Sequence, residues 1–380
     1  MLDARRPRLA AILVPMALAL AIAPGPAPAR GQAVDAPRPT EEDLAYLKKI
    51  SPRFAGLDLD GLAGLEAIDL TGTRVSDQGL AHLERLTNLR SLTLVDTAVG
   101  DSGIGRLRGL ARLETIDLGE TQITHVGLGL LRELPALRSV DLNGAPVGDL
   151  GVFYLAEMPR LDRLGLAQTA ITDAGLARLR GARRLESLDL SGTAVTDRGL
   201  VPLGKLERLR SLSLRNTKVG SEGMAALAGL ARLGSLVLAR TLVDDAGLAH
   251  IRRVATLERL DLEGTAVGDA GVSQLAGLRK LRWLNLSRTR VTDSGLATVG
   301  GLVELRMLYL YATDVTDAGA ARLAGLRNLE GLNLGRTRVG NETVPLIVGL
   351  RSLKTVLLVD TKVTRAGLDA LDEARPDLKQ

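Results

Sequence analysis

Thirteen consecutive segments of 24 residues, with no insertion or deletion among them, run from Leu65 to Pro376. The first reads LEAIDLTGTRVSDQGLAHLERLTN (Leu65 to Asn88) and the sixth LESLDLSGTAVTDRGLVPLGKLER (Leu185 to Arg208). Self-similarity at a fixed period of this size means a stack of small units, none of which can bury its apolar face alone. Such a stack grows by adding units, so a length of 380 residues does not here imply two or three separate cores. We call each segment a coil and number its positions from 1, position 1 of coil 1 being Leu65.

Two periods alternate within a coil. Positions 1, 4 and 6 are almost always Leu, Ile or Val, so positions 3, 5 and 7 point the other way, as in a strand. Position 11 is Val or Ile in all thirteen coils, and positions 16, 19 and 22 are apolar at helical spacing, as at Leu80, Leu83 and Leu86. Each coil is expected to be a strand, a turn, a short helix and a return. Parallel strands ~4.8 Å apart would give one sheet roughly 60 Å long. Six or seven buried aliphatic side chains per coil, at ~1.5–3 kcal/mol each, would hold it together.

Three polar or small positions also repeat. Position 9 is Thr in twelve coils, with Ala145 the exception, and a hydroxyl there can bond backbone groups of its own or the next coil. Position 13 is Asp in nine, such as Asp77, Asp173 and Asp293, and is read as a helix N-cap. Calcium would need several oxygens converging on one point, which one carboxylate per coil does not supply. Position 15 is Gly in twelve, with Thr343 the exception, where a side chain would obstruct packing of helix on coil.

The flanks differ from the repeats. Arg5, Arg6 and Arg8 precede an apolar stretch from Leu9 to Ala23 and the A-x-A pattern Ala27-Pro28-Ala29, so residues 1–29 read as a secretory signal peptide. The apolar stretch falls short of the roughly 20 residues needed to span a bilayer; a retained anchor is the alternative. This reading places the protein in the periplasm or outside the cell, with no membrane span after cleavage. Residues 30–39 are a polar, Pro-containing linker. Residues 40–64 are an N-terminal cap, in which Thr40 starts a helix and Phe54, Leu57 and Leu59 echo the strand part of a coil. Residues 377–380 form a short tail. The absence of Cys excludes disulfides, thiol catalysis, thiolate metal sites and lipid attachment at a cysteine. Without residues 1–29 the net charge falls from +5 to +3, which makes no case for nucleic acid.

The pattern LxxLxLxxTxVTDxGLxxLxxL resembles the leucine-rich repeat family, and its TD-x-GL segment and length resemble ribonuclease-inhibitor-like and GALA-type bacterial repeats. The resemblance covers residues 54–376 and departs in having Thr, as at Thr73 and Thr193, where the family has Asn. It implies an α/β leucine-rich repeat solenoid, a horseshoe with a parallel sheet on the concave face and short helices on the convex face. It further implies a concave sheet that binds a protein or other macromolecule.

Positions 2, 3, 5, 7, 8 and 10 face or border that sheet surface. Over coils 1–6 they carry ten acids and four bases, a balance of −6; over coils 7–13 they carry thirteen bases and six acids, a balance of +7. Of seven aromatic residues, three lie on these columns in two adjacent coils: Trp283, Tyr309 and Tyr311, with Met307 beside Trp283. Trp, Tyr and Arg dominate binding hot spots, and Arg288, Arg290, Arg336 and Arg338 would rim the cluster. Two readings stand: a ligand-binding patch made of these eight residues, or aromatics that cover one another on a solvated sheet.

Elsewhere, Phe153 and Tyr154 in coil 4 either fill a packing gap or form a minor contact surface. Leu357 and Val359 sit on the last strand, an open edge that the tail covers or that a partner strand joins; a monomer is expected. His82, His125 and His250 lie in separate coils and cannot share a metal, and no nucleophile elbow or phosphate loop is present. Asp117 and Asp141 are neighbours on the sheet with no pocket implied. No catalytic residue, cofactor or metal is expected. The expected function is a non-enzymatic, secreted binding protein for a protein or peptide that is acidic where it meets coils 10 to 12. An envelope structural or adhesive protein that binds an anionic polysaccharide is the second reading.

Overall fold

The computed structural model describes residues 38–379; the signal peptide over 1–29 and most of the 30–39 linker lie outside the described residues. Thr40 starts helix α1 (Glu41–Ile50) as expected: its hydroxyl accepts the Asp43 N–H at 3.3 Å, and the Asp43 carboxylate accepts the Thr40 N–H at 2.9 Å. The strand-like echo over Phe54, Leu57 and Leu59 is not a strand. Pro52 opens a 3-10 turn (Pro52–Phe54), and Asp58 caps helix α2 (Leu59–Ala63) by accepting the Gly61 N–H at 2.8 Å. Proline lacks the N–H a ladder needs and aspartate supplies a helix start, so local chemistry overrides the apolar spacing. Phe54 and Leu62 are buried against the first coil's core.

Thirteen three-residue strands follow, one per coil, from β1 (Ala67–Asp69) to β13 (Thr355–Leu357). They form one parallel sheet in chain order, each residue pairing with the one 24 positions later, as Ala67 with Ser91 and Asn333 with Leu357. That constant register follows from the equal length of the coils. Each coil returns through a short helix such as His125–Leu131, and the apolar positions between strand and helix are sealed from solvent. In coil 6, Leu185, Leu188, Leu190, Val195, Leu200, Leu203 and Leu206 are all buried.

The turn after each strand requires a left-handed backbone. Position 8 has φ between 53° and 73° in every coil. This lets its N–H reach the carbonyl of position 7 in the next coil, as Arg288 reaches Tyr311 at 2.8 Å. Glycine fills it at Gly72, Gly144, Gly192 and Gly264; the other nine coils place a side chain there. The Thr at position 9 bonds within its own coil, Thr313 donating to the Leu310 carbonyl at 2.7 Å, and so makes no ladder between coils.

The position-13 aspartates do something other than cap their own helices. In eight of the nine coils with Asp at position 13, all but that of Asp77, the N-cap is the residue at position 12 and Asp is the first helical residue. The carboxylate instead accepts from the next coil: Asp293 takes the Thr316 N–H at 2.7 Å and the Thr316 hydroxyl at 2.6 Å. Asp101, Asp149, Asp173 and Asp269 hold Thr124, Thr172, Thr196 and Thr292 in the same way. An axial ladder of charge-assisted bonds thus ties one helix start to the next.

The ladder explains the glycine at position 15. A Cβ on Gly103 would lie 2.6 Å from the Asp77 Oδ1, and one on Gly295 2.6 Å from the Asp269 Oδ1. In coil 1 no coil precedes, and the Tyr46 hydroxyl from α1 occupies the corresponding space against Gly79. Thr343 departs from the pattern by donating its hydroxyl to Asp317, and its coil opens with a 3-10 turn (Asn341–Thr343) before helix Val344–Gly349.

The far edge is closed by the tail. Beyond helix Arg365–Ala374, the Val356 N–H bonds the Lys379 carbonyl at 2.9 Å and the Lys379 N–H bonds the Lys354 carbonyl at 3.0 Å. Leu378 is buried, and the Arg375 guanidinium donates to the Leu353 carbonyl at 2.7 Å. The last strand therefore has a partner from its own chain. No described helix is long and apolar enough to cross a membrane.

Candidate binding surface on the open sheet face

Because 24 residues separate sheet neighbours, position 3 forms one row across the strands. Arg259 on β9 (Arg259–Asp261), Trp283 on β10 (Trp283–Asn285), Met307 on β11 (Met307–Tyr309) and Gly331 on β12 (Gly331–Asn333) are consecutive register partners. Trp283 and Met307 meet as expected. The ring of Trp283 also lies 5.2 Å from that of Tyr309, tilted by 44°. On its other neighbour, the Arg259 guanidinium sits 3.5 Å from the Trp283 ring centroid. Burial holds the Arg259 pKa below its usual value. Arg259 was not among the residues expected at the patch; its signal in the sequence is its place 24 residues before Trp283.

Glycines make the space this layer occupies. A Cβ on Gly331 would lie 2.5 Å from the Met307 Cε, and one on Gly335 would lie 3.1 Å from Tyr311 Cδ2 and 2.9 Å from Val359 Cγ1. Both glycines are buried, so Met307, Tyr311 and Val359 lie across β12 and its turn. The apolar layer runs on to Leu357 and Val359, which stay 39% and 59% exposed. Their place on this face, with the edge already paired, makes them an extension of the aromatic patch.

The four rim arginines are held differently. Arg288 and Arg336 approach the Tyr311 ring centroid at 5.4 and 5.6 Å. Arg336 also pairs with Asp360 at 2.9 Å, and Arg338 with Asp314 at 2.7 Å. Arg290 is exposed, and no ion pair is formed by it among the described residues. Along position 2 some of the thirteen bases of coils 7–13 are paired, Arg282 with Glu258 at 3.4 Å and Arg306 with Glu330 at 3.0 Å; both acids are already counted in the balance, which stays at +7.

The acidic half has a structural use for part of its charge. Asp117 and Asp141 are register partners, and each accepts the N–H two residues on, from Gly119 at 3.0 Å and Asn143 at 2.9 Å. Asn285 and Asn333 make the same bond in coils 10 and 12. Burial, then the neighbouring carboxylates of Asp117 and Asp189, push the Asp141 pKa up to about 6.

The remaining candidates stay apart. His82 meets the buried Asp43 at 2.9 Å and stacks on Tyr46 at 4.2 Å, which fastens the cap to coil 1. Burial opposes the charge on Asp43, but the Thr40 N–H, His82, the Thr40 hydroxyl and Arg85 together hold its pKa below the usual value. His125 opens helix His125–Leu131 and His250 lies in helix Asp245–Ile251, each in its own coil. In coil 4, Tyr154 packs over Gly129 and fills a gap, while Phe153 meets its ring edge-on at 5.5 Å and remains 43% exposed.

Three segments of the chain, residues 183–204, 208–228 and 255–276, match the leucine-rich repeat family. An internalin from Listeria monocytogenes is similar in structure over 87% of this chain and 92% of its own, with a TM-score of 0.64 and 27% identity. A leucine-rich repeat protein of Leptospira interrogans is similar over 79% of each chain, with a TM-score of 0.58 and 17% identity, a likeness of fold. No curated protein matches the sequence. The thirteen-stranded open sheet with its short helices is the leucine-rich repeat solenoid.

Proposed function

We propose that the protein is a secreted, non-enzymatic binding protein whose sheet face in coils 9 to 13 recognises a protein or peptide. One observation carries this reading: the continuous layer of Arg259, Trp283, Met307, Tyr309 and Tyr311, given room by Gly331 and Gly335. The fold does not require that layer, because coils 1 to 8 stack without one. Large, rigid, amphipathic side chains flanked by arginine are what protein interfaces use as anchors. Secretion rests on the reading of residues 1–29, and the assignment to ribonuclease-inhibitor-like or GALA-type repeats rests on the T-D-x-G-L segment, as at Thr292 to Leu296.

Affinity capture from the envelope fraction tests the proposal, with wild-type chain and a Trp283→Ala/Tyr309→Ala variant as baits. A protein retained by the wild type and lost by the variant supports it. Equal capture by both overturns it. A glycan array probed with the same pair separates an anionic polysaccharide from a protein ligand.

A further inference from the structure

The residue at position 8 is left-handed in every coil, and glycine adopts that conformation without steric cost. Coils 8, 10 and 12 nevertheless place Arg240, Arg288 and Arg336 there, all exposed. A bulky residue kept in an unfavourable conformation that glycine would relieve points to a use for its side chain.

The spacing has a steric cause. A Cβ on Gly264, the next coil's position 8, would lie 3.4 Å from the Arg240 Cγ, so the arginine lies across the coil that follows. Glu120 lies over Gly144 and Gln168 over Gly192 in the same way, at 3.1 and 3.3 Å. A long side chain therefore stands at every second coil over coils 3 to 5 and again over coils 8 to 12, with Gly144 between the first two and Gly264 and Ala312 between the three arginines. Read along this ridge, Glu120, Gln168, Arg240, Arg288 and Arg336 pass from negative to positive.

Every second coil is a step of ~9.6 Å. A polyproline II chain returns to the same face after three residues and ~9.3 Å. Same-face residues of an extended strand recur at ~6.7 Å instead, out of step with the arginines. Arg288 has no carboxylate partner among the described residues, while Arg240 holds Glu263 at 3.4 Å and Arg336 holds Asp360 at 2.9 Å. The Arg336–Asp360 pair is exposed on both sides and so weak, Arg240 is itself exposed, and a guanidinium has five donors, so each can engage a second carboxylate.

We propose that this ridge binds an extended acidic segment of a protein partner, in polyproline II conformation, with a carboxylate at every third residue. The aromatic layer beside it would take apolar side chains of the same partner, so the proposal rests on the reading that this end of the solenoid is the recognition surface.

Fluorescence anisotropy with the full chain and three labelled nonapeptides tests it: (Glu-Pro-Pro)3, an isomer of the same composition with its three Glu contiguous, and (Gln-Pro-Pro)3. The expected result is at least tenfold tighter binding of the spaced acidic peptide than of its isomer, and none of the Gln peptide. An Arg240→Gln/Arg288→Gln/Arg336→Gln variant should weaken binding of the spaced peptide at least tenfold with an unchanged melting curve. An Arg252→Gln/Arg279→Gln/Arg327→Gln control, which removes equal charge away from the ridge, should not. Equal affinity for the two acidic peptides, or equal loss in the two triple variants, would overturn the proposal. So would ridge-dependent binding of polygalacturonate with none of the peptides. If the peptides fail while the Trp283→Ala/Tyr309→Ala variant still loses a captured protein, the ridge assignment falls and the binding function stands.

Discussion

Asp293, at the start of one helix, holds Thr316, at the start of the next, accepting its backbone N–H at 2.7 Å and its hydroxyl at 2.6 Å. The solenoid is therefore joined axially by two systems: the sheet ladder on one side and a carboxylate ladder on the helix side. Asp293→Ala should lower unfolding stability by about 1–3 kcal/mol, the range for a lost cap and a charged hydrogen bond. Asp293→Asn should cost less, because Asn341 already accepts the Thr364 N–H at 2.9 Å by its Oδ1. Urea denaturation of the three proteins checks both; an Asn variant as unstable as the Ala variant contradicts the assignment.

Gly295 and Gly181 make a paired test of packing. A Cβ on Gly295 would press on the Asp269 carboxylate at 2.6 Å, whereas one on Gly181 meets nothing within 4 Å. Gly295→Ala should destabilise by about 1–3 kcal/mol, as overpacking does, and Gly181→Ala should be neutral or slightly stabilising. Asp269→Ala in the Gly295→Ala background should cost less than in the wild type, a negative coupling readable in a double-mutant cycle.

How much of this was legible in the sequence follows from distance along the chain. Strand, turn and helix repeat within 24 residues, so Leu185 to Leu206 disclose their roles by period alone. The target of Asp293 lies 23 residues away in Thr316, beyond any local rule, and a capping residue was the nearest local explanation. Phe54 to Leu59 failed for another reason: a short apolar run fits strand and helix alike until Pro52 and Asp58 are weighed. At the candidate site the register disclosed Trp283 beside Met307. It did not disclose Arg259 on the Trp283 ring, nor that Gly331 and Gly335 are spaces filled by their neighbours' side chains. A glycine by itself does not say whether it serves conformation or volume.

Asp141 should make stability fall as pH rises. A carboxyl whose folded pKa is about 6, against an ordinary 3.8, binds its proton more tightly folded than unfolded. Its contribution is fully present below pH ~4 and is lost as pH climbs through ~6. Asp141→Asn keeps the acceptor for the Asn143 N–H, as Asn285 and Asn333 do in their coils, and removes the charge. The variant should match wild type near pH 4 and exceed it by about 1–2 kcal/mol at pH 8. Urea midpoints across that range check this; a difference that does not change with pH contradicts it.

The tail guards the last strand. Removing residues 377–380 deletes the Lys379 bridge and the buried Leu378, leaving β13 with an unpaired edge. Light scattering after size exclusion should report a monomer for the intact chain and concentration-dependent association for the truncated one. Association of both to the same degree would place the contact elsewhere.

The central claim is that the repeated residues hold the scaffold while the irregular ones on the sheet face bind. Binding of a captured partner, titrated onto wild type, Asp293→Ala and Trp283→Ala/Tyr309→Ala with urea midpoints read on the same samples, tests it most directly. The account predicts that Asp293→Ala loses stability and keeps its affinity, whereas the aromatic double variant keeps its midpoint and binds at least tenfold more weakly. Unchanged affinity in a folded Trp283→Ala/Tyr309→Ala variant would contradict it.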